Sequence, residues 1–296
     1  MEIRTGSIVT TMKTATLVAA LCGVLLAITT ACNGEDFDVS SEEIVVEGWI
    51  AEGGHPIVFV TSTLPITSEE QKLDDLTQYV AQWARVGVTT EDGVTTYLTG
   101  TYNPDFFPPY YFTTAAIRGE AGKRYHLTID WRNHHAEGTT FIPVSVPIDE
   151  IWSGPCSDSD TLRQLFIRFH DDPATRDYYL LFSRREGEPM NAQFCMFGLI
   201  DDITFPQSEL TVSVRRSGLI TEYETYTPYY AVGNDVEVSL LHVDSTTSAY
   251  WRGFADTKEL GASFLFNVTT PLDGNITGGH GIWYGCGIGR KEIKVE

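Results

Sequence analysis

The sequence predicts a mainly β protein: an N-terminal immunoglobulin-like β-sandwich, then a second β-rich sandwich or barrel domain, with one or two short helices. Three observations predict it. Apolar and polar residues alternate at a period of two along several short segments, turn residues separate those segments, and only two short stretches carry helix signals. Many short strands divided by turns are the pattern of sandwiches and barrels.

The elements follow in chain order. Ile44, Val46 and Ile50 share one face of an opening strand, because successive strand side chains point to opposite faces. Residues 57–61 are a more apolar candidate. Ser68-Glu69-Glu70-Gln71 reads as a capping box, with Leu73, Leu76 and Val80 on one helical face. In Arg124–Trp131, Tyr125, Leu127, Ile129 and Trp131 alternate with polar residues, the mark of a half-buried strand. Leu165, Ile167 and Phe169 form one face of another. Leu210, Val212 and Val214 point inward from residues 209–215, and Val236, Val238 and Leu240 from residues 235–240. Ser245 is placed to cap a second helix carrying Tyr250, Trp251 and Phe254. Residues 178–182, 264–268 and 282–284 complete the strands. Turns are expected at Glu91-Asp92-Gly93, Asn103-Pro104-Asp105 and Asp273-Gly274-Asn275. A boundary near Val146-Pro147-Ile148-Asp149 divides residues 42–146 from residues 147–296.

The N-terminus carries the strongest functional signal. Lys13 precedes an apolar stretch over residues 15–28, followed by Thr29-Thr30-Ala31 and Cys32. A charged start, a short apolar core and a small-residue exit describe a signal peptide, here residues 1–31. Met12 opens a signal of ordinary length and is a candidate start. Small residues before a cysteine predict lipidation of Cys32, although Thr29 stands where leucine is usual. Stable anchoring takes two acyl chains, since each buried CH₂ adds about 0.8 kcal/mol. Residues 32–41 are then an acidic tether. Its Asn33-Gly34-Glu35-Asp36-Phe37-Asp38 resembles the surface-export signal of Bacteroidota lipoproteins; a solvated linker on the inner leaflet of the outer membrane is the alternative.

The chain has 20 Lys+Arg and 40 Asp+Glu, a net charge of −20. Removing residues 1–31, with Glu2, Arg4 and Lys13, leaves 18 − 39 = −21. So acidic a surface excludes nucleic acid as a partner, because phosphate binding needs Lys/Arg clusters. After Cys22 and Cys32, the remaining Cys156, Cys195 and Cys286 allow at most one disulfide, with three pairings open. Buried free thiols are the preferred reading.

Four segments together carry a family resemblance. They are Ile44-Val45-Val46-Glu47-Gly48-Trp49-Ile50 after a lipoprotein cysteine, Gly122 through Ile129, Ile148-Asp149-Glu150-Ile151, and the ending from Thr270-Pro271 through Asn275-Ile276-Thr277-Gly278-Gly279-His280-Gly281-Ile282-Trp283-Tyr284-Gly285. The chain resembles the domain-of-unknown-function 4249 family of Bacteroidota outer-membrane lipoproteins over nearly its whole mature length. The resemblance implies an outer-membrane lipoprotein with a sandwich-like N-terminal domain and a β-rich C-terminal domain. It also implies a setting like that of accessory lipoproteins of TonB-dependent transporters. It brings no catalytic residues.

No G-x-S-x-G, H-E-x-x-H or C-x-x-C motif is present, and no enzyme activity, cofactor or metal is expected. Gly278-Gly279-His280-Gly281 reads as glycines at positive φ in a turn before the last strand. His134-His135 reads as an exposed hairpin tip within a turn at residues 133–138. Asp158-Ser159-Asp160 and Asp171-Asp172 lack the full oxygen set of a calcium loop. The aromatic run Phe106-Phe107-Pro108-Pro109-Tyr110-Tyr111-Phe112 is the leading recognition candidate, either exposed or folded onto the core. Tyr223, Tyr226, Tyr229 and Tyr230 form a second candidate loop. The expected ligand contacts are Phe106, Phe107, Tyr110, Tyr111, Tyr226, Tyr229 and Tyr230. The expected function is a lipid-anchored binding or accessory module beside a TonB-dependent transporter. A glycan or peptide hydrolase, or an adhesive surface protein, is the alternative.

Overall fold

The structure is a computed structural model that describes residues 42–63, 79–156, 159–188, 193–201, 208–216, 227–257 and 272–296. The signal peptide, the acidic tether and the expected strand at residues 264–268 lie outside them. So does the expected helix from Ser68, except that Val80 bridges to Thr61.

The described strands run β1 (Ile44–Ala51), β2 (Ile57–Ser62), β3 (Arg85–Thr90), β4 (Thr95–Tyr97), β5 (Thr99–Tyr102), β6 (Tyr110–Thr113), β7 (Arg124–Trp131), β8 (His134–Phe141) and β9 (Ile148–Cys156). Then come β10 (Ser159–His170), β11 (Tyr178–Arg185), β12 (Gln193–Asp201), β13 (Glu209–Val214), β14 (Tyr230–Ala231), β15 (Asp235–Val243), helix α1 (Ser245–Thr257), β16 (Ile276–Thr277) and β17 (His280–Lys294). The fold is mainly β, as the alternation predicts. An eight-stranded sheet has the order β12-β11-β15-β17-β1-β2-β6-β5. A five-stranded sheet runs β16-β8-β7-β3-β4, and β10 pairs with β9, β13 and β14 in a four-stranded sheet.

The long sheet has two unlike faces. Its inner side chains pack against the five-stranded sheet through Val46, Val58 and Phe112, meeting Leu127, Ile129 and Ala136. Farther along, Tyr179, Leu181, Val238 and Leu240 meet Leu165, Ile167, Phe169 and Leu210 of the four-stranded sheet. These are two sandwich cores sharing one sheet. The residue 146/147 division falls in the connector between them. Residues 42–296 nonetheless form one compact unit.

β17 accounts for that unity. Its first half pairs in parallel with β1, and its second half pairs antiparallel with β15. Its inward positions alternate Trp283, Gly285, Gly287, Gly289 and then Ile293. Trp283 is fully buried in the first core, and its indole N–H donates to the Tyr125 carbonyl at 3.1 Å. Asn275 fixes it from both sides. The side-chain oxygen accepts from the Trp283 N–H at 2.9 Å, and the amide donates to the Trp283 and Thr139 carbonyls. Gly281 opens the strand at φ +105°, where a Cβ would overlap the Val46 carbonyl. The positive φ expected of glycines before the last strand is found at Gly278 (φ +79°), between β16 and β17, whereas Gly281 lies inside β17, where it lets the strand approach β1.

Two local expectations are corrected. Residues 134–138 belong to strand β8, and the turn is only Arg132-Asn133, with Arg132 at φ 54°. Helix α1 is capped by Asp244, whose carboxylate accepts from the Thr247 N–H at 2.7 Å; Ser245 is already helical. Among the described residues no helix is long and apolar enough to cross a membrane.

Candidate functional site

The outer face of the long sheet, opposite both sandwich cores, carries the densest aromatic packing. Helix α1 lies over one part of it with Tyr250, Trp251 and Phe254, and the 103–109 loop lies over another with Phe106. Ring centroids link these into one band. Phe106 is 4.7 Å from Tyr111 and 6.1 Å from Phe59; Phe59 is 5.9 Å from Trp49; Trp49 is 6.3 Å from Tyr284; Tyr284 is 6.5 Å from Trp251. Trp251 continues to Phe182 and Phe194 at 5.2 and 5.1 Å. Such pairs add about 0.5–1.5 kcal/mol each beyond area burial. Trp49, Ile57, Phe107, Tyr111 and Phe254 keep part of their surface open to solvent.

One carboxylate stands in this band. Glu47 occupies the outer side of β1 between Val45 and Trp49, across from Phe59 on β2 and Ile282 on β17. No described side chain gives its carboxylate a hydrogen bond or an ion pair. Desolvation alone pushes its pKa from 4.5 up to about 7. Burial likewise raises the Tyr250 and Tyr284 hydroxyls well above their usual range, with Glu47 adding to both, and pushes the Cys286 thiol up to about 12. Cys286 is thus an inert buried thiol. Cys195 is also buried, with its thiol donating to the Ser183 hydroxyl at 3.4 Å, and neither it nor the partly exposed Cys156 forms a disulfide among the described residues.

The raised carboxylate makes a pH prediction. Below pH 4.5 Glu47 is protonated folded or unfolded and has no effect. As pH rises toward about 7 the unfolded chain ionises first, so the folded state loses stability. The full cost is on the order of 3 kcal/mol, an upper bound because Glu47 retains some solvent contact. Urea midpoints of wild type and Glu47→Gln at pH 5 and pH 8 check this. The variant should gain relative to wild type at pH 8, and a pH-independent difference would show that Glu47 is well solvated.

The structure gathers only some of the expected contact residues. Phe106 and Tyr111 join the band, and Phe107 packs beside them. The run therefore folds onto the sheet while part of Phe107 and Tyr111 stays exposed. Tyr110 faces the other way, toward the first core, with its hydroxyl donating to the Gln82 carbonyl at 3.1 Å. Tyr229 is partly exposed. Tyr230 is a core residue instead of a surface contact: it is fully buried and donates to the Ser183 hydroxyl at 2.9 Å. Cys32, Tyr223 and Tyr226 lie outside the described residues. His135 is exposed on β8, where its bond to Asp130 at 2.7 Å raises its pKa. Among the described residues no group of three or more His, Cys, Asp or Glu is placed to hold a metal. Asp171 accepts from the Tyr179 hydroxyl, and Asp172 caps a turn through the Ala174 N–H.

Sequence reasoning missed Glu47. The available signal was a lone charge inside an apolar strand, with Val45 and Trp49 as its same-face neighbours.

The model of one protein family, described as a domain of unknown function (DUF4249), matches residues 35–292. No curated protein matches the chain.

Proposed function

The chain belongs to the DUF4249 family, and from that premise we propose that it is an exported, lipid-anchored binding module of the outer membrane that recognises its ligand on the outer face of the long sheet. The observation that carries the reading is the aromatic band with Glu47 in it, held on a rigid sheet whose opposite face is engaged by two smaller sheets. The leader ending at Cys32 supports the anchor. The lipoprotein setting that the resemblance implies supports an accessory role beside a TonB-dependent transporter on the cell surface.

Three experiments test this. Cys32→Ala is expected to lose fatty-acid label and to leave the membrane fraction almost entirely; retention of both would remove the anchor. Wild type is expected to bind members of glycan and peptide arrays, and Trp49→Ala with Tyr111→Ala to lose at least tenfold in that binding. Unchanged binding by the double variant would remove the outer face as the recognition surface. A mild-detergent pull-down from outer membranes should recover a stoichiometric TonB-dependent transporter. Recovery of the protein alone would reject the accessory role.

A further inference from the structure

Resting on that reading of the outer face, we infer that the site around Glu47 binds the positively charged nitrogen of an amine or quaternary ammonium group, with Glu47 as counter-charge and Trp49, Phe59 and Tyr284 as its aromatic wall. Ionisable side chains are almost never enclosed unless they are paired. Glu47 is largely enclosed and has no partner among the described residues, so within them only a proton or something that enters the site compensates its charge. The groups around it select what enters. Phe59 lies directly across on β2, Trp49 two residues along β1, and Tyr284 across from Trp49 on β17. Cations are attracted to aromatic faces within about 6 Å of the ring centre, most strongly where water is excluded. A neutral polyol could stack on these rings but would leave the carboxylate uncompensated.

Longer-range electrostatics point the same way. A net charge of −20 concentrates cations at the surface and repels anions. Among the described residues, the titratable groups facing Glu47 add no competing charge: they are the Tyr250 hydroxyl from α1 and the Tyr284 hydroxyl from β17, both held neutral by burial. The Cys286 thiol, farther along β17, is neutral as well. His280 on β17 is already engaged by Glu43, and Asp273 is exposed. Glu47 and Trp49 keep partial solvent contact, so the carboxylate side of the site opens to solvent, while Phe59 and Tyr284 are buried behind it.

Binding is also coupled to a proton. A cation must displace the proton that Glu47 holds below pH about 7, so affinity should fall about tenfold between pH 8 and pH 6. The test is calorimetric titration of the purified protein with tetramethylammonium and n-butylammonium, against neopentyl alcohol as an uncharged molecule of similar shape. The cations are expected to bind at least tenfold more tightly than the alcohol. Glu47→Gln, which folds at least as stably at neutral pH, is expected to lose that preference and the pH dependence together. Equal binding of cation and alcohol, or a Glu47→Gln variant that binds cations as wild type does, overturns the inference. So does the absence of cation binding by wild type. In each of those cases the outer face remains decided separately, by the array comparison of the Trp49 and Tyr111 variants.

Discussion

Replacing Trp283 by alanine is expected to cost about 3–5 kcal/mol, the range for truncating a fully buried aromatic side chain. Domain stabilities are typically about 5–15 kcal/mol, so the variant should sit near the edge of folding. The burial has two parts. The ring fills the first core beneath Tyr125, Leu127 and Ile129, and its N–H satisfies the Tyr125 carbonyl, which alanine would leave buried without that donor. The site also cannot collapse easily, because Asn275 holds the Trp283 backbone on both its N–H and its carbonyl. Trp83 is the control: it is 92% exposed, and Trp83→Ala should change stability by less than about 0.5 kcal/mol. Urea midpoints of the two variants decide the matter. Equal midpoints would mean that Trp283 does not anchor β17 to the first core.

The strands legible in the sequence are those whose inner face is built of large apolar residues. β7 is found at its observed bounds because Tyr125, Leu127, Ile129 and Trp131 all point inward. β15 and β13 follow for the same reason. β8 escapes notice because its inward residues are Ala136, Gly138 and Thr140. They are small because something large lies over them: a Cβ on Gly138 would stand 2.9 Å from Ile276 and 3.5 Å from the Trp283 side chain. The compensating bulk sits on other strands, and no local pattern records it. β17 is legible only at residues 282–284 for a similar reason, since glycine weakens a strand signal along the rest of it. The functional face divides along the same line. The aromatic run at 106–112 announces itself by composition, whereas its union with Trp49 and Tyr284 is made by sheet order, and with Trp251 by the packing of α1 on that sheet. Tyr230 misleads for a related reason, because its tyrosine-rich neighbourhood reads as a loop while its own side chain fills the second core.

Placing a side chain at Gly287 is expected to be strongly damaging. The connector between the two sandwiches crosses directly over this residue, and a Cβ there would lie 2.5 Å from the Ser145 Cα and N. Both are backbone atoms, so no flexible side chain can yield. The connector cannot lift freely either. The Ser145 N–H donates to the Glu52 carboxylate at 2.9 Å, and the Val144 carbonyl is bonded to the His242 ring at 2.8 Å. Overpacking of this kind costs about 1–3 kcal/mol, and Gly287→Val should reach or exceed the top of that range. Gly93→Ala separates crowding from backbone strain: Gly93 has φ +83° and open space around its Cβ position, so alanine there should cost about 1–2 kcal/mol from conformation alone. Hydrogen exchange gives the sharper reading. If Gly287 holds the connector against β17, Gly287→Val will lower amide protection on both the β1–β17 and the β15–β17 pairings, because one strand serves both sandwiches. Loss of protection on only one side would mean that the two cores unfold independently and that β17 does not couple them.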